Sequence, residues 1–166
     1  YISTHKKIEK FKEFILKNEL DFNDVVLDSG IVLSAYGLRE CSDIDYFVDD
    51  NEKLEYNDDE LEYHDDEKLE LIYNPKNYFY FNDLKFIAFK QLYKMKKNRN
   101  EEKDRNDCKM MEALIENDSF KKILSRWKQS FYYGKIKVRA KIIQSFKNIG
   151  LYELARKLYR TLKGLK

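Results

Sequence analysis

The chain has 166 residues, 43% of them hydrophobic and including 13 Tyr, 11 Phe and 1 Trp, enough to fill one core. The net charge of +2 hides a division: residues 1–118 hold 18 Lys and Arg against 29 Asp and Glu, whereas residues 119–166 hold 14 against 1. No apolar run is long enough to cross a bilayer, no signal-peptide pattern is present, and Cys41 and Cys108 match no metal spacing. A membrane-spanning helix and a disulfide framework are thereby excluded, and a reduced, cytoplasmic compartment is expected. A sequence that begins at Tyr1 rather than Met is expected to be a piece of a longer protein.

In chain order, "STHKKIEKFKEFILKN" predicts a helix, with Ser3 as its cap and Ile8, Phe11, Phe14 and Ile15 at helical spacing. "DVVLDSG" predicts a short buried strand ending in a turn, where Asp28 and Ser29 can form a capped turn. "IVLSAYG" follows as one or two helical turns closed by Gly37. "DIDYFV" predicts a strand with Ile44, Tyr46 and Val48 on one face and Asp43, Asp45 and Phe47 on the other.

The acidic stretch from Asp49 to Lys68 is weakly patterned and predicts a loop or solvated edge; His64, beside Asp65 and Asp66, can join a metal site but is expected in water, and His5 at the surface. "LELIY", "NYFYF" and "LKFIAF" predict strands, the first two separated by Pro75 and the last two by an Asn82-Asp83 turn. Helices are predicted from about Ala88 to Lys97 and from Glu101 to Glu116, the second capped by Asn100. The tail predicts two or three basic helices broken near Gly134 and Gly150. The fold class expected is α/β (α+β): a small mixed β-sheet flanked by helices over residues 1–118, with a basic helical extension over residues 119–166.

Asp43 and Asp45 carry the chemical signal. On a strand they stand about 6.6 Å apart on one surface, a spacing from which two carboxylates can converge on Mg²⁺ or Mn²⁺ and a phosphoryl group. A third acid usually completes such a cage: Glu70, mid-strand among apolar neighbours, is the candidate, with Asp65 and Asp66 as alternatives. The Ser29-Gly30 turn can bring backbone N–H groups close to a phosphate, and Arg39 can add a cation. Tyr78, Phe79, Tyr80 and Phe81 can stack a nucleobase, although core on one face and rim on the other is the commoner fate of such a run.

"LDSG", twelve residues and "DID" together resemble the signature of the DNA polymerase beta-like nucleotidyltransferase superfamily. The small pair here reads Ser-Gly, where the family commonly has Gly-Gly or Gly-Ser. "LYKMKKNRNEEKDRNDCKMMEAL" is similar to a helix–turn–helix segment of minimal bacterial members, with Lys96, Arg99, Lys103, Asp104 and Asp107 in the matching places. Geometry points Asp104 and Asp107 inward with Cys108, Met111, Leu114 and Ile115, so an ion-pair network with Lys103 is favoured over catalysis. Lys85 and Lys96 are possible partners or phosphate contacts.

The resemblance spans about residues 5–116. "AYGLRECSDIDYF" with "NYFYFNDLKFIAF" further resembles uncharacterised nucleotidyltransferase-like domains associated with bacterial surface-polysaccharide synthesis. It implies transfer of a nucleoside monophosphate from a nucleoside triphosphate to a small-molecule or glycan-precursor acceptor. Asp43, Asp45 and Glu70 would hold the metal, with Ser29, Gly30, Arg39, Lys85 and Lys103 around the nucleotide. A catalytically inactive binding or scaffold module of a larger protein is the alternative.

The tail's 14 basic residues, with Leu151, Leu154, Leu158, Leu162 and Leu165 at helical spacing, describe amphipathic helices. Docking on the acidic body, or on the inner face of a membrane, is expected ahead of nucleic acid, for which no recognised motif is present.

Overall fold

Ile8, Phe11 and Ile15, recurring every three to four residues, form the buried face of helix α1 (Ile2–Lys17). The chain is described from a computed structural model covering residues 2–49, 59–154 and 156–157. Ser3 lies within α1 rather than capping it, and its hydroxyl donates to Glu40. Glu19 closes the helix at φ 53°, with the Leu20 amide returning to the Ile15 carbonyl at 3.1 Å.

Strand β1 (Val25–Asp28) is buried throughout and leads through Ser29 into α2 (Gly30–Ala35). Gly37, at φ 69°, ends α2 as expected: its amide bonds to Ser34 and the Leu38 amide to Leu33. That closure needs a left-handed residue, which glycine adopts without steric cost. Strand β2 (Asp45–Val48) begins two residues later than expected, so Asp43 lies in the preceding turn.

Of the acidic stretch, residues 50–58 lie outside the described residues. Asp59–Tyr63 form a short 3₁₀ helix. "LELIY" is a correction: it belongs to helix α3 (Lys68–Tyr73), with Leu71 and Ile72 buried on consecutive positions against the sheet. A five-residue apolar run fits either a strand or a buried helical turn, and packing decides.

Strands β3 (Tyr78–Phe81) and β4 (Leu84–Ile87) form the expected hairpin. Asn82 and Asp83 both take positive φ, 51° and 63°, as a tight turn matched to strand twist requires. The sheet order is β2-β1-β4-β3, with β1 antiparallel to β2, parallel to β4, and β4 antiparallel to β3. The fold is thus mixed α+β.

Register fixes which side chains share a face. Leu27 pairs with Tyr46 and with Phe86, and Phe86 with Phe79. This face is covered by α1, whose Phe11 lies 5.0 Å from Tyr46, and by α2, whose closing Tyr36 lies 5.3 Å from Phe79. Asp28, Asp45 and Phe47 project from the other face, beside the segment from the 3₁₀ helix to α3.

Helices α4 (Phe89–Arg99) and α5 (Glu102–Ile115) pack on each other. Asn100 closes α4 in the left-handed conformation instead of capping α5, whose N-cap is Glu101. Asp104 and Asp107 are fully buried, as expected, whereas Ile115 is exposed.

Of the expected partners of these acids, Lys96 is in place, 3.1 Å from Asp104 and 2.9 Å from Asp107, while Lys103 and Lys85 are not. Arg99 grips Asp104 with two donors at 2.8 Å each and reaches Glu60 at 3.0 Å. Arg39 grips Asp107 with two donors at 2.7 and 2.9 Å. Lys103 points to the surface beside Glu101. Burial alone would raise the Asp104 carboxyl, but the Arg99 hydrogen bonds and the Lys96 charge hold it below its ordinary value.

Helix α6 (Ser119–Asn148) runs unbroken through Gly134, so the first expected tail break is absent; the second occurs at Gly150, at φ 70°. A glycine in a helix interior costs about 1 kcal/mol relative to Ala without ending the helix. The chain divides into two compact units, Tyr1–Arg126 and Trp127–Lys166. Within the first, Arg126 donates to the carbonyls of Gly37 and Leu38 at 2.6 and 3.2 Å.

Replacing Lys96 with Met should cost about 3 kcal/mol in urea unfolding, because two carboxylates lose a buried partner. The loss should sit at the low end for such a site, since Arg99 and Arg39 remain on Asp104 and Asp107.

Candidate functional site

Two strands bring two carboxylates together. Asp28 ends an otherwise apolar strand and is directly opposite Asp45 in the antiparallel β1–β2 register. Opposed residues of such a pair project to the same face with Cβ atoms about 5 Å apart, and like charges there repel. Asp28 is fully buried: its Oδ2 shares a 2.9 Å hydrogen bond with His64 Nε2. Its Oδ1, also buried, has no hydrogen-bond partner among the described residues.

Asp45 carries the electrostatic consequence. Burial pushes its carboxyl up to about 6, and the charges of Glu60, Asp43 and Asp28 push in the same direction, while the Ser29 hydroxyl opposes them. Asp43 is exposed in the turn before β2, where the Ser42 hydroxyl donates to it at 2.7 Å. Glu60 arrives from the 3₁₀ helix, held by Arg99. Four carboxylates therefore act on one strand end.

Ser29 has φ 58° and ψ −123°, a conformation that favours glycine. In the Ser-Gly pair it is thus the serine that takes the strained backbone, at roughly 1–3 kcal/mol. Gly30 is buried, and a Cβ added there would meet the Arg39 guanidinium and Cys41 at 3.5 Å. Arg39 lies over this turn, but two of its donors are engaged by Asp107 and a third by the Glu40 carbonyl at 3.0 Å.

The remaining expected site residues are not brought to the cluster. Glu70 is exposed on α3 with its carboxylate accepting from Asn74 at 2.9 Å. Asp65 accepts from Asn98 and pairs with Lys94 on α4, while Asp66 accepts from Gln91. Lys85 is buried at the opposite end of β1, its ammonium donating to the Asn23 and Ile72 carbonyls beneath the Tyr73 and Tyr78 rings. Lys103 is on the surface of α5. Tyr78–Phe81 occupy the edge strand farthest from β2, which separates them from Asp45.

His64 is another correction. The sequence reading puts it in water, yet its side chain is fully buried, edge-on to Phe47 at 5.5 Å and bonded to Asp28. The missed residues are therefore Asp28 and Glu60, whereas for His64 the sequence reading favours water over a place at the acids. A charged residue ending "VVLD" was a usable signal for Asp28, and Glu60 and His64 stand four apart, one helical turn. Nothing else separates them from the surrounding acids.

Among the described residues, no group of three or more His, Cys, Asp and Glu is placed to hold a metal ion by itself. Mg²⁺, however, is ordinarily bound by one or two carboxylates together with substrate phosphates and water, not by an all-protein cage. The Asp28–Asp45 pair, with an orphaned buried oxygen and a raised carboxyl, fits that donor set. No family model, curated protein or solved structure matches this chain.

A folded carboxyl raised above its unfolded value favours folding below its ordinary range, and that advantage is lost as pH rises through about 6. Asp45→Asn should therefore be stabilising above pH 6, by about 2 kcal/mol at pH 8, and nearly neutral at pH 4. Denaturant midpoints measured across that range check the sign.

Proposed function

We propose that the strand-end acids form the metal and nucleotide site of a nucleotidyltransferase of the DNA polymerase beta-like kind, in line with the resemblance of "LDSG" and "DID". Asp43 and Asp45 would hold Mg²⁺ or Mn²⁺, with Asp28 in the place the sequence reading gave to Glu70. The metal would supply charge neutralisation at the nucleotide phosphates. The residues themselves position and orient: Ser29 holds Asp45, His64 packed on Phe47 holds Asp28, and Arg99 holds Glu60.

In the reaction class proposed, an acceptor oxygen attacks the α-phosphorus, the bond to the bridging oxygen breaks, and pyrophosphate departs as the acceptor loses its proton. Positioning and charge neutralisation carry most of such a barrier. The observation that carries the reading is the buried Oδ1 of Asp28, without a hydrogen-bond partner among the described residues, opposite the raised Asp45 carboxyl. Acids placed this way are stabilised by a cation.

The acceptor we favour is a small molecule or glycan precursor, because 29 acids against 18 bases in residues 1–118 repel a long polyanion. We assign the work to the cytoplasm, peripheral to the inner face of the membrane; among the described residues no helix is long and apolar enough to cross one.

A second reading, a nucleotide-binding module without catalysis, is favoured by Arg39, whose guanidinium is committed to Asp107 and not to a phosphate. Calorimetric titration with each ribonucleoside triphosphate, with and without Mg²⁺, tests the site. Metal-dependent binding should weaken at least about tenfold in Asp45→Asn, the loss seen even for outer partners of a metal. Absence of binding by the folded wild type with Mg²⁺ and with Mn²⁺ would overturn it. Binding without pyrophosphate release, tried with glycan-precursor acceptors, would select the module.

A further inference from the structure

Helix α6 carries no acidic residue over Ser119–Asn148. Within the second unit, Trp127, Phe131, Gly134, Val138 and Ile142 recur at intervals of four, three, four and four, which places them on one stripe of the helix. The stripe is uncovered: Trp127 is 77% exposed, Phe131 71%, Val138 57% and Ile142 50%. An open pocket of about 780 Å³ is lined by this face, Lys135 and Arg139 included.

Cations border the stripe on both sides. By helical position Lys128, Lys135 and Arg139 lie along one edge and Lys137 and Lys141 along the other. An apolar stripe with aromatic anchors and a basic border on each side is the pattern of a helix lying in the plane of a membrane interface. Anionic headgroups supply the opposite charge at both edges, while Trp and Phe enter the boundary of the acyl region.

A second copy fits less well. Any pairing along this stripe brings five cations of one helix toward five of the other, with no carboxylate on either helix to offset them. An acidic polymer would answer the charge but leave the apolar stripe in water.

We propose that the Trp127–Ile142 face of α6 docks on an anionic lipid surface. The inference is independent of the chemistry at Asp28 and Asp45, so the failure of either leaves the other standing. Long basic side chains extend their apolar stems along the stripe and keep their charges at headgroup level, which makes binding dependent on both features at once.

Trp127 is the only tryptophan of the chain, so its emission reports on this face alone. The full chain is titrated with vesicles of phosphatidylcholine and with vesicles in which phosphatidylserine is mixed into it. The expected result is a blue shift and saturable binding with the anionic vesicles only, reversed by salt. Lys135→Gln and Arg139→Gln, both at exposed positions, should each weaken binding about fivefold. Phe131→Ser should weaken it while leaving circular dichroism unchanged.

No shift with anionic vesicles from the folded chain would overturn the proposal. A shift that instead follows protein concentration without lipid would assign the stripe to a second copy. One seen with RNA but not with vesicles would assign it to nucleic acid. Emission already blue-shifted in dilute, lipid-free chain would mean that the chain covers its own stripe.

Discussion

Buried charge sets the terms for the first unit of this protein. Arg39, Asp107, Lys96, Asp104, Arg99 and Glu60 form one connected series of ion pairs and charge-assisted hydrogen bonds. Its members come from the segment after α2, from α4, from α5 and from the 3₁₀ helix. Burying any one of these charges alone would cost several kcal/mol, so none of the four segments can shift without exposing another's debt of solvation. The series takes the place that a wider apolar contact would fill in a chain with fewer charges.

The same series ends at the acids. Glu60 is held by Arg99 at one side and bears on Asp45 at the other, so the position of a carboxylate near the strand end is decided by a helix pair. Arg39 shows the converse: it stands over the Ser29-Gly30 turn, yet Asp107 holds it. This cation beside the turn is engaged by Asp107, while Asp28, Asp43 and Glu60 all bear on Asp45 at the strand end. Under the proposed function that is the field a divalent cation requires, with the cation rather than an arginine meeting the phosphates.

How far the sequence disclosed this depended on whether a feature was local. Gly37 ending α2, the Asn82-Asp83 turn and the inward stripe of α5 follow from backbone preference and helical spacing, and each was legible. Asn100 is ambiguous because Asn suits both a left-handed C-cap and an N-cap. "LELIY" fits a strand or a helical turn because two consecutive buried apolar residues suit either state until packing is known. Asp45 was found from its spacing to Asp43, but the partner that burial gives it is Asp28, which depends on strand register. His64 was hidden for the same reason: only the chain's return over the sheet buries it against Phe47. Among the network's expected donors Lys96 holds its place and Lys103 does not, because only the packing of α4 on α5 decides which of two equally basic lysines faces inward.

Under the proposed function Asp28 and Asp45 face each other because a cation belongs between them and a nucleotide. Anomalous scattering from crystals grown with Mn²⁺ and a non-hydrolysable nucleoside triphosphate tests it most directly. The account expects a peak within bonding distance of Asp45, joined by Asp28 or Asp43, with phosphate oxygens completing the shell. A nucleotide-loaded crystal with no peak there, or with Mn²⁺ bound at other carboxylates, would contradict it.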